Sequence, residues 1–146
     1  MGFLTVKGEC KQYSGKILFG DDMLKSISAE VLVKSINTKD ASRDKTITSK
    51  GYLNTKEYPI IKFQSTSVVK EKSKDFLIGF MEIKGVKKEI KIPFKLFFLK
   101  DKKRVQLMLQ TKILRKDFQL DFGSMDTLIG DKITIDLLIE GKNNQK

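Results

Sequence analysis

The amino-acid sequence predicts an all-β protein: an eight-stranded antiparallel barrel with one short helical crossover. Three observations carry this reading. Apolar and polar residues alternate at period two in segment after segment, as in strands with one buried face. One stretch, residues 39–55, breaks the alternation. Most neighbouring segments are separated only by short turns, and consecutive antiparallel strands commonly remove their edges by closing on themselves.

The elements follow in order. Short candidate strands cover residues 3–9 and 13–19. A strand at 26–36 places Ile27, Ala29, Val31 and Val33 on one face, with Ser28, Glu30 and Lys34 on the other. Within the crossover, Asp40-Ala41-Ser42-Arg43-Asp44-Lys45 reads as a capped helical turn. In the strand at 60–69, Ile61, Phe63, Ser65 and Ser67 alternate with Lys62, Gln64 and Thr66. The run 76–83 is apolar on both faces and broken by Gly79, so it is either covered outside or closely approached. At 87–99, Ile90, Ile92, Phe94, Leu96 and Phe98 alternate with Lys91, Pro93 and Lys95. At 104–115, Val105, Leu107, Leu109 and Ile113 alternate with Gln106, Gln110 and Lys112. The last strand sets Ile133, Ile135, Leu137 and Ile139 against Thr134, Asp136 and Glu140. Lys84-Gly85-Val86-Lys87 and Lys100-Asp101-Lys102-Lys103 supply tight turns.

Strand parity then places the loops. Those at 70–74 and 100–104 share one barrel end and gather Lys70, Lys72, Lys74, Lys100, Lys102, Lys103 and Arg104 into a basic rim. The crossover, the Gly85 turn and the segment 115–130 share the other end, which draws Arg43, Asp44, Arg115, Asp117 and Asp131 together. Two prolines and short breaks leave no linker, so residues 1–140 read as one domain followed by a polar tail at 141–146. A chain of 146 residues with 10 Phe can build a core, and buries about 68–70% of its unfolded surface.

Composition narrows the chemistry. There is no His, which excludes His-dependent triads and His-ligated metal sites. Cys10 is the only cysteine, so no intrachain disulfide and no paired-thiol metal site exists. The carboxylates Asp21-Asp22, Asp40-Asp44 and Asp121-Asp126 fall in expected turns with no sign of a cleft between them. The expectation is a protein that is not an enzyme and requires no cofactor. With 29 Lys+Arg against 18 Asp+Glu, the net charge is +11, which invites phosphate-bearing partners. The alternative is a set of solvated lysines, and pI speaks to association rather than fold. No apolar run approaches the ~20 residues of a membrane helix, and Met1-Gly2-Phe3-Leu4 does not read as a secretory signal.

At this point the chain resembles the YceI-like family, the bacterial lipocalin-like polyisoprenoid-binding proteins. The resemblance rests on six pieces in order. Val33-Lys34-Ser35-Ile36-Asn37-Thr38 precedes Arg43-Asp44 and Ser49, and Tyr58-Pro59-Ile60-Ile61-Lys62-Phe63-Gln64-Ser65-Thr66 follows. Then come Gly79-Phe80-Met81-Glu82-Ile83-Lys84-Gly85-Val86-Lys87-Lys88, Ile113-Leu114-Arg115-Lys116-Asp117-Phe118 and Ile129-Gly130-Asp131-Lys132-Ile133. Lys45 stands where the family commonly has a His. The resemblance implies a lipocalin-like barrel with a long-chain lipid in its lumen, a polyisoprenoid or an isoprenoid quinone, and a periplasmic or secreted location. A cytoplasmic location stays open.

On that reading Val31, Val33, Phe63, Met81, Ile83, Ile92, Phe94, Leu107, Leu109, Ile135 and Leu137 line the lumen. The competing reading is that they fill a solid core, as in many small barrels. Arg43, Asp44, Arg115 and Asp117 either hold an anionic head group or form structural ion pairs. The basic rim either docks on an anionic membrane surface or is a set of solvated hairpin tips. Phe76 and Phe97, at outward positions, also fit a homodimer face. Nucleic acid is the weaker partner reading. The alternative function is a surface-binding protein that engages anionic membrane or nucleic acid through the rim, over a solid core.

Overall fold

Alternation at period two becomes strand throughout the computed structural model, which describes residues 9–20, 23–99, 104–120 and 132–142. The strands are β1 (Glu9–Cys10), β2 (Tyr13–Gly20), β3 (Met23–Leu32), β4 (Ile36–Asn37), β5 (Ile60–Glu71), β6 (Lys74–Ile83), β7 (Val86–Leu99), β8 (Arg104–Leu114) and β9 (Lys132–Lys142). The α-helix among the described residues, α1 (Ala41–Ile47), lies in the expected crossover, and Asp40 caps it by accepting from the Arg43 backbone N–H. Seven strands form one antiparallel sheet in the order β2-β3-β5-β6-β7-β8-β9, and β1 pairs with β4 separately. Of the first expected strand, residues 3–8 lie outside the described residues.

The sheet curls into a lipocalin-like barrel wall. Four ladder steps separate β2 from β7, roughly 19 Å across a flat sheet. Yet the rings of Phe19 on β2 and Phe98 on β7 sit 6.3 Å apart. They meet only because the concave face closes on itself. That face holds Leu24, Ile27, Phe63, Leu77, Met81, Ile83, Ile92, Phe94, Leu107, Leu109 and Ile113.

Two bulges adjust the pattern. Ser65 pairs with Gly79 but Ser67 pairs with Ile78, so Thr66 is an extra residue that turns Ser67 outward and Val68 inward. The expected alternation therefore fails at Ser67. The second register shift lies between Leu18 and Phe19, opposite Ser26 and Leu24, and brings Leu24 to the same face as Ile27. The backbone N–H of Ile27 finds its partner in Ser65 Oγ at 2.9 Å.

Val33 also departs from expectation. The third strand ends at Leu32, and Val33–Ser35 form a 3-10 turn. Leu32 N–H donates to Gln12 O, Val33 N–H to Pro59 O, and Ser35 Oγ back to Leu32 O, which together end the ladder.

The doubly apolar stretch of β6 is covered outside. Lys91 Nζ lies 4.6 Å from the Phe76 ring centre and Lys87 Nζ 5.3 Å from that of Phe80, so β7 lysines roof the outward rings. Two-residue turns join these hairpins. Lys84 and Gly85 both have positive φ, as do Lys72 and Ser73, the backbone that follows strand twist best. The turn expected over 70–74 is thus only Lys72-Ser73, and Lys70 and Lys74 belong to strands. Ser73 holds φ of 67° without being glycine. Ser73→Gly is expected to raise stability by about 0.5–1 kcal/mol, read as a higher urea midpoint at unchanged slope.

Candidate functional site

The concave face is the first candidate. Cross-strand pairing sets its register: Ala29 faces Phe63 and Phe63 faces Met81, while Phe94 faces Leu109 and Leu109 faces Leu137. Of the eleven expected lining residues, Phe63, Met81, Ile83, Ile92, Phe94, Leu107 and Leu109 belong to the buried cluster, and Ile135 and Leu137 pack against it. Val31 and Val33 do not join that cluster among the described residues. Val31 is half-buried between Tyr13 and Ile61, and Val33 is buried in the 3-10 turn.

Packing along this face is uneven. Leu77 on β6 and Leu107 on β8, both strands with a neighbour on each side, are fully buried, at 0% exposure. The inward residues of the outer strands, Ile17 and Phe19 on β2 and Ile133, Ile135, Leu137 and Ile139 on β9, are only half-buried. Apolar surface thus stays open along the inside of β2 and β9. A cleft of about 780 Å³ runs beside β6–β9, where Asp75, Phe94, Leu96, Leu109 and Leu137 line it together with outward residues such as Phe97 and Met108.

The two ends differ. At the crossover end Phe118 and Leu120 are buried in the core cluster, with Tyr52 and Leu53 packed against it. These four plug that end. None of them sits in an alternating segment, so periodicity gave no sign of them. The Phe19–Phe98 contact spans the opposite end, where the β5–β6 turn and the ends of β7 and β9 lie.

Polar members of the inner register are few. Ser65 serves the bulge. Asp75 lies opposite Phe94, Lys88 opposite Met81 and Thr111 opposite Ile135. Lys88 continues the Ile90–Phe98 alternation two residues upstream, and the same alternation points to it.

Arg43 and Asp44 converge on Thr38. The Asp44 carboxylate accepts from the Thr38 backbone N–H and hydroxyl, while Arg43 Nε donates to Thr38 Oγ1 and Nη2 to Thr38 O. Asp44 thereby ties α1 back to the end of β4. Arg115 and Asp117 occupy the 3-10 turn after β8, where buried Arg115 donates from Nη1 to Leu120 O and so holds the plug. Asp131 lies outside the described residues. Asp44→Ala leaves the Thr38 N–H without its acceptor, and a cost of about 1–3 kcal/mol is expected in chemical denaturation.

Cys10 is half-buried on β1, and burial pushes its thiol pKa up, with a hydrogen bond to Ser35 acting the other way. A raised pKa leaves little thiolate at neutral pH. Alkylation by iodoacetamide is expected to be slower than for a free thiol at pH 7, and to accelerate as pH rises through the alkaline range. Among the described residues no cluster of three or more acidic or sulfur side chains forms a metal site, and no helix is long and apolar enough to cross a membrane.

Comparison with known proteins agrees with this architecture. The family model described as a YceI-like domain matches residues 1–141. Protein YceI of Escherichia coli O157:H7 is 29% identical over 126 residues, which cover 82% of this chain and 66% of that protein. The chain spans about half to two thirds of the length of curated relatives that it matches. The crystal structure of a Campylobacter jejuni YceI protein superposes with a TM-score of 0.87 at 25% identity, covering 99% of this chain and 89% of that one. A polyisoprenoid binding domain from Saccharophagus degradans, implicated in plant cell wall breakdown, shares the fold at TM-score 0.65 and 12% identity, over 88% of this chain and 90% of that one.

Proposed function

Because the chain belongs to the YceI-like family, we propose that it binds a long-chain apolar lipid, a polyisoprenoid or isoprenoid quinone, within the curled sheet and carries or sequesters it unchanged. The observation that carries this reading is the inner register. It is mostly aliphatic and aromatic from β2 to β9, with half-buried apolar surface along its outer strands. Such a surface offers a hydrocarbon chain burial without demanding polar contacts. Each CH₂ taken from water contributes about 0.8 kcal/mol, so some ten methylenes give roughly 8 kcal/mol before the cost of immobilisation. The Saccharophagus degradans neighbour, described as polyisoprenoid binding, supports the ligand class. No covalent step is invoked, and the protein acts as a binder rather than an enzyme. An extracytoplasmic location belongs to the same proposal.

Protein purified without detergent and extracted with organic solvent tests it. One predominant long-chain lipid, near one molecule per chain by mass spectrometry, is the expected result. A phospholipid mixture mirroring the host membrane, or no lipid at all, overturns it.

A further inference from the structure

Of the eight large apolar side chains exposed among the described residues, four lie toward one end of the barrel, while Tyr13 and Tyr58 lie at the other and Met108 and Leu138 between. Leu18 is 61% exposed near the end of β2, Met23 58% at the start of β3, and Phe97 and Leu99 are exposed at the end of β7. Hairpin parity puts these positions at the same end as the Lys72-Ser73 turn and the Phe19–Phe98 contact. Exposed cations surround them: Lys25 on β3, Lys70 and Lys74 beside the turn, Lys72 within it, and Arg104 at the start of β8. Among the described acids of this end, Asp75 is exposed next to Lys74, and two others sit near cations. Glu71 is held by Lys91 at 2.6 Å, and Glu140 approaches Arg104 at 3.9 Å. Lys100, Lys102 and Lys103, with Asp21, Asp22 and Asp101, lie outside the described residues and are not used here. The opposite end carries the Phe118 plug instead.

Apolar side chains ringed by lysines are unfavourable in water and fit a surface that is oily inside and negative at its boundary. We propose that this end of the barrel docks on an anionic lipid bilayer. Leu18, Met23 and Leu99 enter the interfacial layer while Lys70, Lys72, Lys74 and Arg104 meet the headgroups. The docking stands on the surface alone. Its purpose, passing an apolar chain between bilayer and lumen, rests on the function proposed above.

Vesicle flotation with the full chain tests the proposal, using phosphatidylcholine alone and phosphatidylcholine mixed with phosphatidylglycerol. The protein is expected to float with the anionic vesicles and to lose most of that binding in high salt. K70E/K72E/K74E is expected to weaken anionic binding by about a hundredfold, at roughly fivefold or more per cation. The pair Leu18→Ser and Met23→Ser is expected to lower binding at every salt concentration. These five side chains are exposed, so each variant's circular dichroism should match the parent. Equal binding to both vesicle types, no binding to either, or unchanged binding in both variants overturns the proposal. So does a concentration-dependent dimer, seen by light scattering, that the serine pair abolishes while vesicle binding is absent. Solvent extraction of the same preparations separates the two readings. Docking without a lumen lipid sinks only the function above, and a lumen lipid without docking sinks only this proposal.

Discussion

Gly79→Ala is expected to destabilise the protein by roughly 3 kcal/mol or more. A Cβ at this position falls 2.7 Å from Ser65 Cα and 2.8 Å from Phe63 Cζ, with Gln64 O closer still. Two of these neighbours are backbone atoms in a paired strand and cannot turn away. Gly79 pairs directly with Ser65, where the bulge at Thr66 begins. Ser65 in turn satisfies the Ile27 N–H on β3. Forcing β5 and β6 apart therefore strains a join of three strands. The urea midpoint should fall steeply, whereas Gly51→Ala, with nothing within 4 Å of the added carbon, should stay within about 0.5 kcal/mol of the parent. Equal midpoints for the two variants would mean that β5 and β6 are not in this close contact.

The second large effect concerns binding. Leu137→Glu is expected to cut affinity for a prenyl lipid at least about tenfold, or 1.4 kcal/mol, while the barrel still folds. Leu137 lies opposite Leu109, which lies opposite Phe94, so a carboxylate there sits against the apolar wall. It is only half-buried, which spares the fold the cost that a charge at fully buried Leu107 imposes. Thr134→Glu is the matched control. It places the same charge three residues away on the outer face, opposite Lys112, and should leave lipid binding unchanged. Equal losses in both variants would remove the inner face from the binding mechanism.

Most of the sheet was legible because its strands are buried on one side only. Ile133, Ile135, Leu137 and Ile139 announce their face by alternation, and Asp40 announces α1 through its capping carboxylate. Features that depend on partners were not legible. Nothing local to Val33 says that Pro59 and Gln12 will accept the N–H groups around it and end the strand. The extra residue at Thr66 becomes visible only once β6 is laid alongside β5. Phe118 and Leu120 belong to the core but follow a strand rather than lie in one, so period two could not find them. At the candidate site, alternation named nine lining residues that the curl brings together, and could not say whether the surface they share is open. That depends on how far the sheet closes, which the Phe19–Phe98 contact records and the sequence does not. The basic rim, by contrast, was legible: strand parity alone assigns Lys70, Lys72, Lys74 and Arg104 to one end, and the hairpins keep them there.

The central claim is that binding is burial of a hydrocarbon inside the barrel. Titration of the delipidated protein with a long-chain polyprenol, at low and at high salt, tests it most directly. An uncharged chain held by apolar contact should bind near one per protein with an affinity that salt leaves unchanged, since no counterions are released. No saturable binding, or an affinity that falls steeply with salt, would contradict a lumen that holds the lipid.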